Sequence, residues 1–185
     1  YINAGMQRRD LDTGANRQLL TLTLTIATDT YTFTTLGNAN VFDVVGINLI
    51  YVSTRIVLRQ MSFTELNARY RVWQAAGVNF QGTPEAWCRY GPNQVIFAPN
   101  PVSAFSTEWD CCIYSTALVN TTDKDPVVYP YTDPVPYYAA YRAKINERAM
   151  DEAAQFLQLY QEAINVANNA RVGFSPSVYG EPTRV

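Results

Sequence analysis

Residues 129–171 read YPYTDPVPYYAAYRAKINERAMDEAAQFLQLYQEAINVANNAR, and this stretch decides the class of fold. Pro130, Pro134 and Pro136 punctuate its start, and then neither proline nor glycine recurs until Gly173. The run between is rich in Ala, Gln, Glu, Leu and Arg, which are good helix formers. From Ala149 onward, Ala153, Phe156, Tyr160, Ala163, Ile164 and Ala167 recur at spacings of three and four, on one helical face. One unbroken helix would strand that face outside a compact domain. The run is therefore expected to fold back between Asn146 and Asp151, with Asp151 capping a second helix. Burial of Phe156, Tyr160 and Ile164 is worth roughly 1.5–3 kcal/mol each.

Upstream, the chain is rich in threonine, valine and tyrosine and reads as sheet. Tyr1 to Arg9 reads as a helix end, and Asp10 to Asn16 as a loop. Leu20, Leu22, Leu24 and Ile26 alternate with Thr21, Thr23 and Thr25, the pattern of a half-buried strand. Tyr31, Phe33 and Thr35 continue the alternation after a turn at Thr28 to Thr30, which predicts a hairpin. Val41 to Val52 is long and apolar, with Gly46 marking a bulge or a close backbone approach. Arg55 to Arg59 forms a further short strand. Ser62 and Glu65 have capping-box spacing and open a helix to Trp73, with Phe63, Leu66 and Tyr70 on one face.

A second hairpin runs through Pro84–Tyr90 and Val95–Ala98 about a turn at Gly91, Pro92 and Asn93. Glu108 to Val119 is the last long strand, with Trp109, Cys111 and Ile113 on one face and Asp110, Cys112 and Tyr114 on the other. Short strands at this spacing predict an α+β chain: an antiparallel β-sandwich with one inserted helix, plus a C-terminal helical hairpin belonging to a helix bundle. The expected divisions are 1–16 with the bundle, 17–130 as sandwich with the inserted helix near 62–73, 131–172 as C-terminal helices, and 173–185 as an extended arm.

Composition narrows the function. The chain of 185 residues carries a formal net charge of -2, against the basic excess of a dedicated nucleic-acid binder. Charged residues are only 16%, tyrosines number 13, and all basic residues but Lys124 and Lys144 are arginine. Tyrosine and arginine are enriched where proteins meet proteins, and arginine suits bidentate pairing. There is no histidine, which removes a Ser-His-Asp triad and the commonest metal ligand. Cys88, Cys111 and Cys112 lack the spacing of a disulfide framework or a zinc site. Phosphate-loop and dinucleotide glycine patterns are absent, and no apolar run approaches the roughly 20 residues of a membrane span.

Three constellations remain. Glu108 and Asp110 share a strand face, as a glycosidase pair or a calcium ligand pair would, but a solvated or interfacial strand face is the plainer reading. Trp73, Trp87 and Trp109 would serve a carbohydrate-binding sandwich as a stacking platform, against burial in the core. The Arg8–Arg9 and Arg69, Arg71 pairs would meet phosphate, or carboxylates of a neighbouring chain.

The succession of elements resembles the head-to-tail adaptor family (neck, or tail tubular protein A-like) of bacteriophages. The resemblance is carried by a helix ending at Tyr1, Ile2 and Asn3, and by a strand bearing Val44, Ile47, Leu49 and Tyr51. Arg55, the capped helix from Ser62, and Pro84, Trp87 and Gly91 follow. The exit at Pro99 and Pro101 comes next, then Val135, Pro136, Tyr138, Ala139 and Ala140 at the start of the last helices. The resemblance implies a structural virion protein of the capsid–tail neck, assembled in the host cytoplasm, with no catalytic residue, cofactor, metal or membrane contact. It implies a homo-oligomeric ring, usually of twelve, between the portal protein and a downstream tail or nozzle protein. Double-stranded DNA would pass through the bore without sequence-specific binding. An upstream segment is expected to supply helices that pair with Pro136 to Arg171. Within the arm, Phe174, Val178, Tyr179 and Arg184 are the expected partner contacts.

Overall fold

The computed structural model describes residues 1–71 and 81–172, with side chains through residue 170. These divide into two compact units, one of residues 17–114 and one of residues 1–16 with the chain from Ser115 onward.

The first unit is a sandwich of two four-stranded sheets. One sheet has the order β1 (Arg17–Thr23), β10 (Ser106–Ile113), β3 (Val41–Tyr51) and β4 (Thr54–Val57), antiparallel throughout. The other has the order β2 (Thr30–Thr32), β8 (Gln94–Ala98), β7 (Ala86–Tyr90) and β5 (Arg59–Gln60). Its β5–β7 contact is parallel, as is a small pair of β6 (Gln81–Gly82) with β9 (Asn100–Pro101).

Between the sheets, Ile47, Leu49 and Trp109 of the first meet Tyr31, Trp87, Val95 and Phe97 of the second in one buried cluster. Phe97 stands edge-on to both Tyr31 and Trp109, each at 5.6 Å between ring centres. The Trp109 indole donates to Thr107 Oγ1 at 2.8 Å, and that hydroxyl donates to the Leu22 carbonyl at 2.7 Å, so these two polar groups enter the core already partnered.

The second sheet is covered on both faces. Trp87 faces the sandwich interior, while Cys88, Ile96 and Ala98 lie under α2 (Phe63–Arg69) with Leu66, Phe63 and Tyr70. Burial on both sides is why AWC and VIFA lack polar alternation. The Ser62 hydroxyl accepts from the Glu65 amide, the predicted cap. The helix closes at Arg69, short of the predicted Trp73, which lies outside the described residues together with Gly77.

The turn at Gly91 and the β7–β8 pairing agree with the predicted hairpin. The bulge predicted at Gly46 is present: Asp110 opposes Gly46 and Cys111 opposes Val44, leaving Val45 unpaired. The β1–β2 hairpin is not formed. β1 pairs with β10 and β2 with β8, in different sheets, and Phe33–Leu36 is a 3-10 turn closed by Gly37 at φ 73. The three-residue spacing of buried Phe33 and Leu36, rather than strand alternation, sets the conformation there. β10 also ends earlier than predicted, at Ile113.

The second unit holds α1 (Ile2–Thr13), α3 (Pro134–Asn146) and α4 (Met150–Val172). Ser115–Pro130, read from sequence as part of the sandwich, clusters with these helices. α1 runs one turn past the predicted end, because Arg9 and Asp10 form a buried polar centre instead of a solvated loop; Gly14 in the left-handed region closes it. α3 begins at Pro134, since prolines in a first turn forfeit no helical hydrogen bond. The fold-back falls at Glu147–Ala149, with Arg148 at φ 60. Asp151 stands within the first turn of α4 and not at its cap. Ala153, Tyr160, Ile164 and Ala167 are buried as predicted, whereas Phe156 is only half-buried. α1 packs on α3 and α4.

Candidate assembly surfaces

The carboxylates of β10 are committed to neighbouring strands. Arg55 grips Glu108 with Nε at 2.8 Å and a second guanidinium nitrogen at 3.2 Å. Those hydrogen bonds hold the Glu108 carboxyl below its ordinary range. Arg17 pairs with Asp110 from the opposite side, Nε donating at 2.9 Å. The Glu108 carboxyl is thus shifted in the direction opposite to the one a general acid requires. Among the described residues no group of three His, Cys, Asp or Glu side chains could hold a metal ion.

Trp87 and Trp109 are fully buried and present no stacking surface. This removes both from the carbohydrate reading; Trp73 lies outside the described residues. The predicted contacts Phe174, Val178, Tyr179 and Arg184 also lie outside them.

The Arg8–Arg9 pair is spent within the chain. Arg9 is fully buried, and donates to Asp10 at 2.8 and 3.1 Å, to the Ser115 hydroxyl at 2.8 Å and to Asp125. Asp10 in turn accepts from the Ser115 amide at 2.6 Å. Burial pulls the Arg9 pKa down, but the hydrogen bonds it donates to Asp125 and Asp10 outweigh it and leave it raised. Arg8 pairs with Asp12 at 2.9 Å, and Asp12 accepts from the Tyr160 hydroxyl at 2.6 Å. Burial, then the Asp12 bond, pushes the Tyr160 pKa up.

Two of the hollows on the helical unit are lined by aromatic or aliphatic side chains of its helices. One, of about 280 Å³, is walled by Tyr138, Tyr141 and Tyr160 with Arg8 and Asp12 at its polar end; the Tyr138 ring stands 5.6 Å from that of Tyr141 and 5.2 Å from that of Tyr160. The other, of about 430 Å³, is mostly apolar, lined by Ile2, Met6, Leu118, Val135, Pro136 and Ala139. Sequence reasoning missed both. The i, i+3 spacing of Tyr138 and Tyr141 on α3 was the available signal. On the sandwich, Leu19, Tyr51, Val52, Ile56 and Val57 are exposed; Leu19, Ile56 and Val57 belong to edge strands, and Tyr51 and Val52 to the end of β3 and the turn after it.

Such a chain, with six of its arginines paired internally and aliphatic and tyrosine surface turned outward, has the properties of an assembly component. The class is made specific by comparison: residues 1–180 match the family model described as SU10 adaptor protein. The chain belongs to this family of phage head-to-tail adaptors. No curated protein matches it. Membership makes it a phage structural component of the virion, in a family whose members are not normally enzymes. Among the described residues no helix is long and apolar enough to cross a membrane.

Proposed function

We infer that the chain is the subunit of a homo-oligomeric ring, of about twelve copies as the resemblance suggests, joining the portal protein to a downstream tail or nozzle protein. The observation that carries this is the exposed apolar surface on both units of a chain that belongs to an adaptor family. A ring subunit must cover lateral and axial faces alike, and lone surface aliphatics at sheet edges and helix flanks provide for that. The helical unit, by this reading, meets the portal, and the sandwich meets the next tail protein. Double-stranded DNA passes the bore. A net charge of -2 fits a lumen that must not hold phosphate.

Imaging of purified particles tests this reading, with a ring of this subunit at the neck as the expected result. Light scattering of the chain mixed with portal should show concentration-dependent large species; a small monomer alone under all conditions refutes the ring. Phe174, Val178, Tyr179 and Arg184 are proposed to dock on a partner. Truncation after Arg171 should abolish portal binding or virion assembly, and unaffected assembly refutes the arm's role.

A further inference from the structure

We propose that neighbouring copies join edge to edge through the first sheet of the sandwich, β4 of one copy adding to β1 of the next. The proposal rests on the ring reading above and names the surface that would close the ring. β4 and β1 are the two outer strands of one four-stranded sheet. All four residues of β4 are exposed, as are five of the seven in β1. Exposed sheet edges are templates for another strand, and proteins that remain monomeric guard them with charge, proline or a covering element.

Among the described residues, neither edge strand is guarded by proline or by an unpaired charge. Each strand has a single charged residue, Arg55 on β4 and Arg17 on β1, and neither strand contains proline. Both arginines lean inward over the sheet onto carboxylates of β10, so the two edges face outward electrically neutral and do not repel. The charge match is therefore set inside each subunit.

Strand direction and side-chain facing also agree. Every neighbouring pair in this sheet is antiparallel, and the sheet has four strands, so β4 and β1 run in opposite directions. A copy related by rotation about an axis along the strands keeps its strand directions, and β4 then meets the next β1 antiparallel, with the alternation unbroken. Val57 opposes Asn48, and Asn48 opposes Glu108, which opposes Thr21; Leu19 lies two residues along on that same face. Val57 is 79% and Leu19 62% exposed, so each edge offers an uncovered aliphatic on the matching face. Ile56, 43% exposed, lies on the other face with Leu49 and Leu22, where a neighbour's strand would cover it.

Cross-linking in assembled particles tests the pairing. Leu19→Cys with Val57→Cys in one chain should give, on mild oxidation, a ladder of covalently joined multiples on a non-reducing gel. Thr21→Cys with Val57→Cys covers the adjacent register. The native Cys88, Cys111 and Cys112 are buried and stay silent. Particles whose rings are intact by imaging but yield no ladder from either pair overturn the edge pairing while leaving the ring reading in place. Dimers from Val57→Cys alone overturn it as well, because they show that β4 meets its own kind. Particles with no ring of this subunit refute the ring reading and, with it, this one.

Discussion

Arg9 is the side chain on which the helical unit depends most, and Arg9→Leu measures how much. The substitution keeps helix propensity and bulk roughly constant. It removes the cation that faces Asp10, whose side chain is 1% exposed, and it leaves that carboxylate with the Ser115 amide as its main donor. Breaking a buried pair by removing one partner costs about 3–5 kcal/mol, because the other charge stays buried without compensation. Asp125, 17% exposed, can turn toward water and adds little to the loss. For a chain of this size each kcal/mol moves the midpoint by about 2–4 °C, so the helical unit should melt roughly 6–20 °C lower.

Far-UV circular dichroism during heating reads the helices, with hydrogen exchange on α1 as the local check. The pH dependence has a defined sign. Arg9 has a raised folded pKa, so its contribution is fully present below its unfolded pKa and would be lost only on rising through the folded value. The loss in Arg9→Leu should therefore not be recovered by moving pH within the neutral range. Arg9→Met combined with Asp10→Asn should be less damaging than Arg9→Leu alone, since the stranded charge is gone. A loss below about 1 kcal/mol for Arg9→Leu, the range of an exposed pair, would refute the argument that this centre is dry.

Gly5→Ala tests the approach of α1 to α3: an added Cβ would stand 2.9 Å from the Val135 carbonyl oxygen, which cannot retreat without moving the helix. The gain of about 1 kcal/mol in helix propensity is outweighed by overpacking of about 1–3 kcal/mol, and chemical denaturation should show a net loss. Val52→Gly should stabilise the isolated chain by about 1 kcal/mol, because Val52 sits at φ 57 in a two-residue turn, 90% exposed; an unchanged midpoint refutes the strain. Cys111, its thiol pushed up to about 12 by burial and then by Asp110, should resist thiol reagents at neutral pH until the sandwich unfolds. Glu108 has a lowered folded pKa, so its pairing favours the fold above the ordinary glutamate range and is lost as pH falls through the lowered value. Arg55→Ala should raise the Glu108 pKa in an NMR titration.

Elements whose signals are local were readable from the residues. The Ser62 cap, the Gly91 turn and the Ala153–Ala167 stripe each depend on contacts within a few positions, and the structure contains all three. The β1–β2 hairpin failed for the complementary reason. Alternation tells which face of a strand is buried but not which strand lies beside it, and the partners of β1 and β2 come from β10 and β8, far along the chain. The end of α1 was misread because Arg9-Asp10 looks like solvated loop. Its burial depends on Ser115 and Asp125, more than a hundred residues away.

The same distance effect governs the surfaces. Abundant arginine was read as material for ion pairs between chains, yet Arg8, Arg9, Arg17, Arg55, Arg59 and Arg89 all find carboxylates in their own chain. Composition reports the residue type, and only the pairing shows where its charge is used. Glu108 and Asp110 show this most directly: their shared face was predicted, but the arginines that neutralise them sit on the two edge strands of the same sheet. A sheet that settles its charges internally has no electrostatic means left at its edges to attract or to reject a neighbour. Association at those edges must then come from backbone pairing and from Leu19, Ile56 and Val57, which salt screens little. Assembly through the sandwich should accordingly persist as ionic strength rises, whereas a ring held by inter-subunit arginine pairs would loosen.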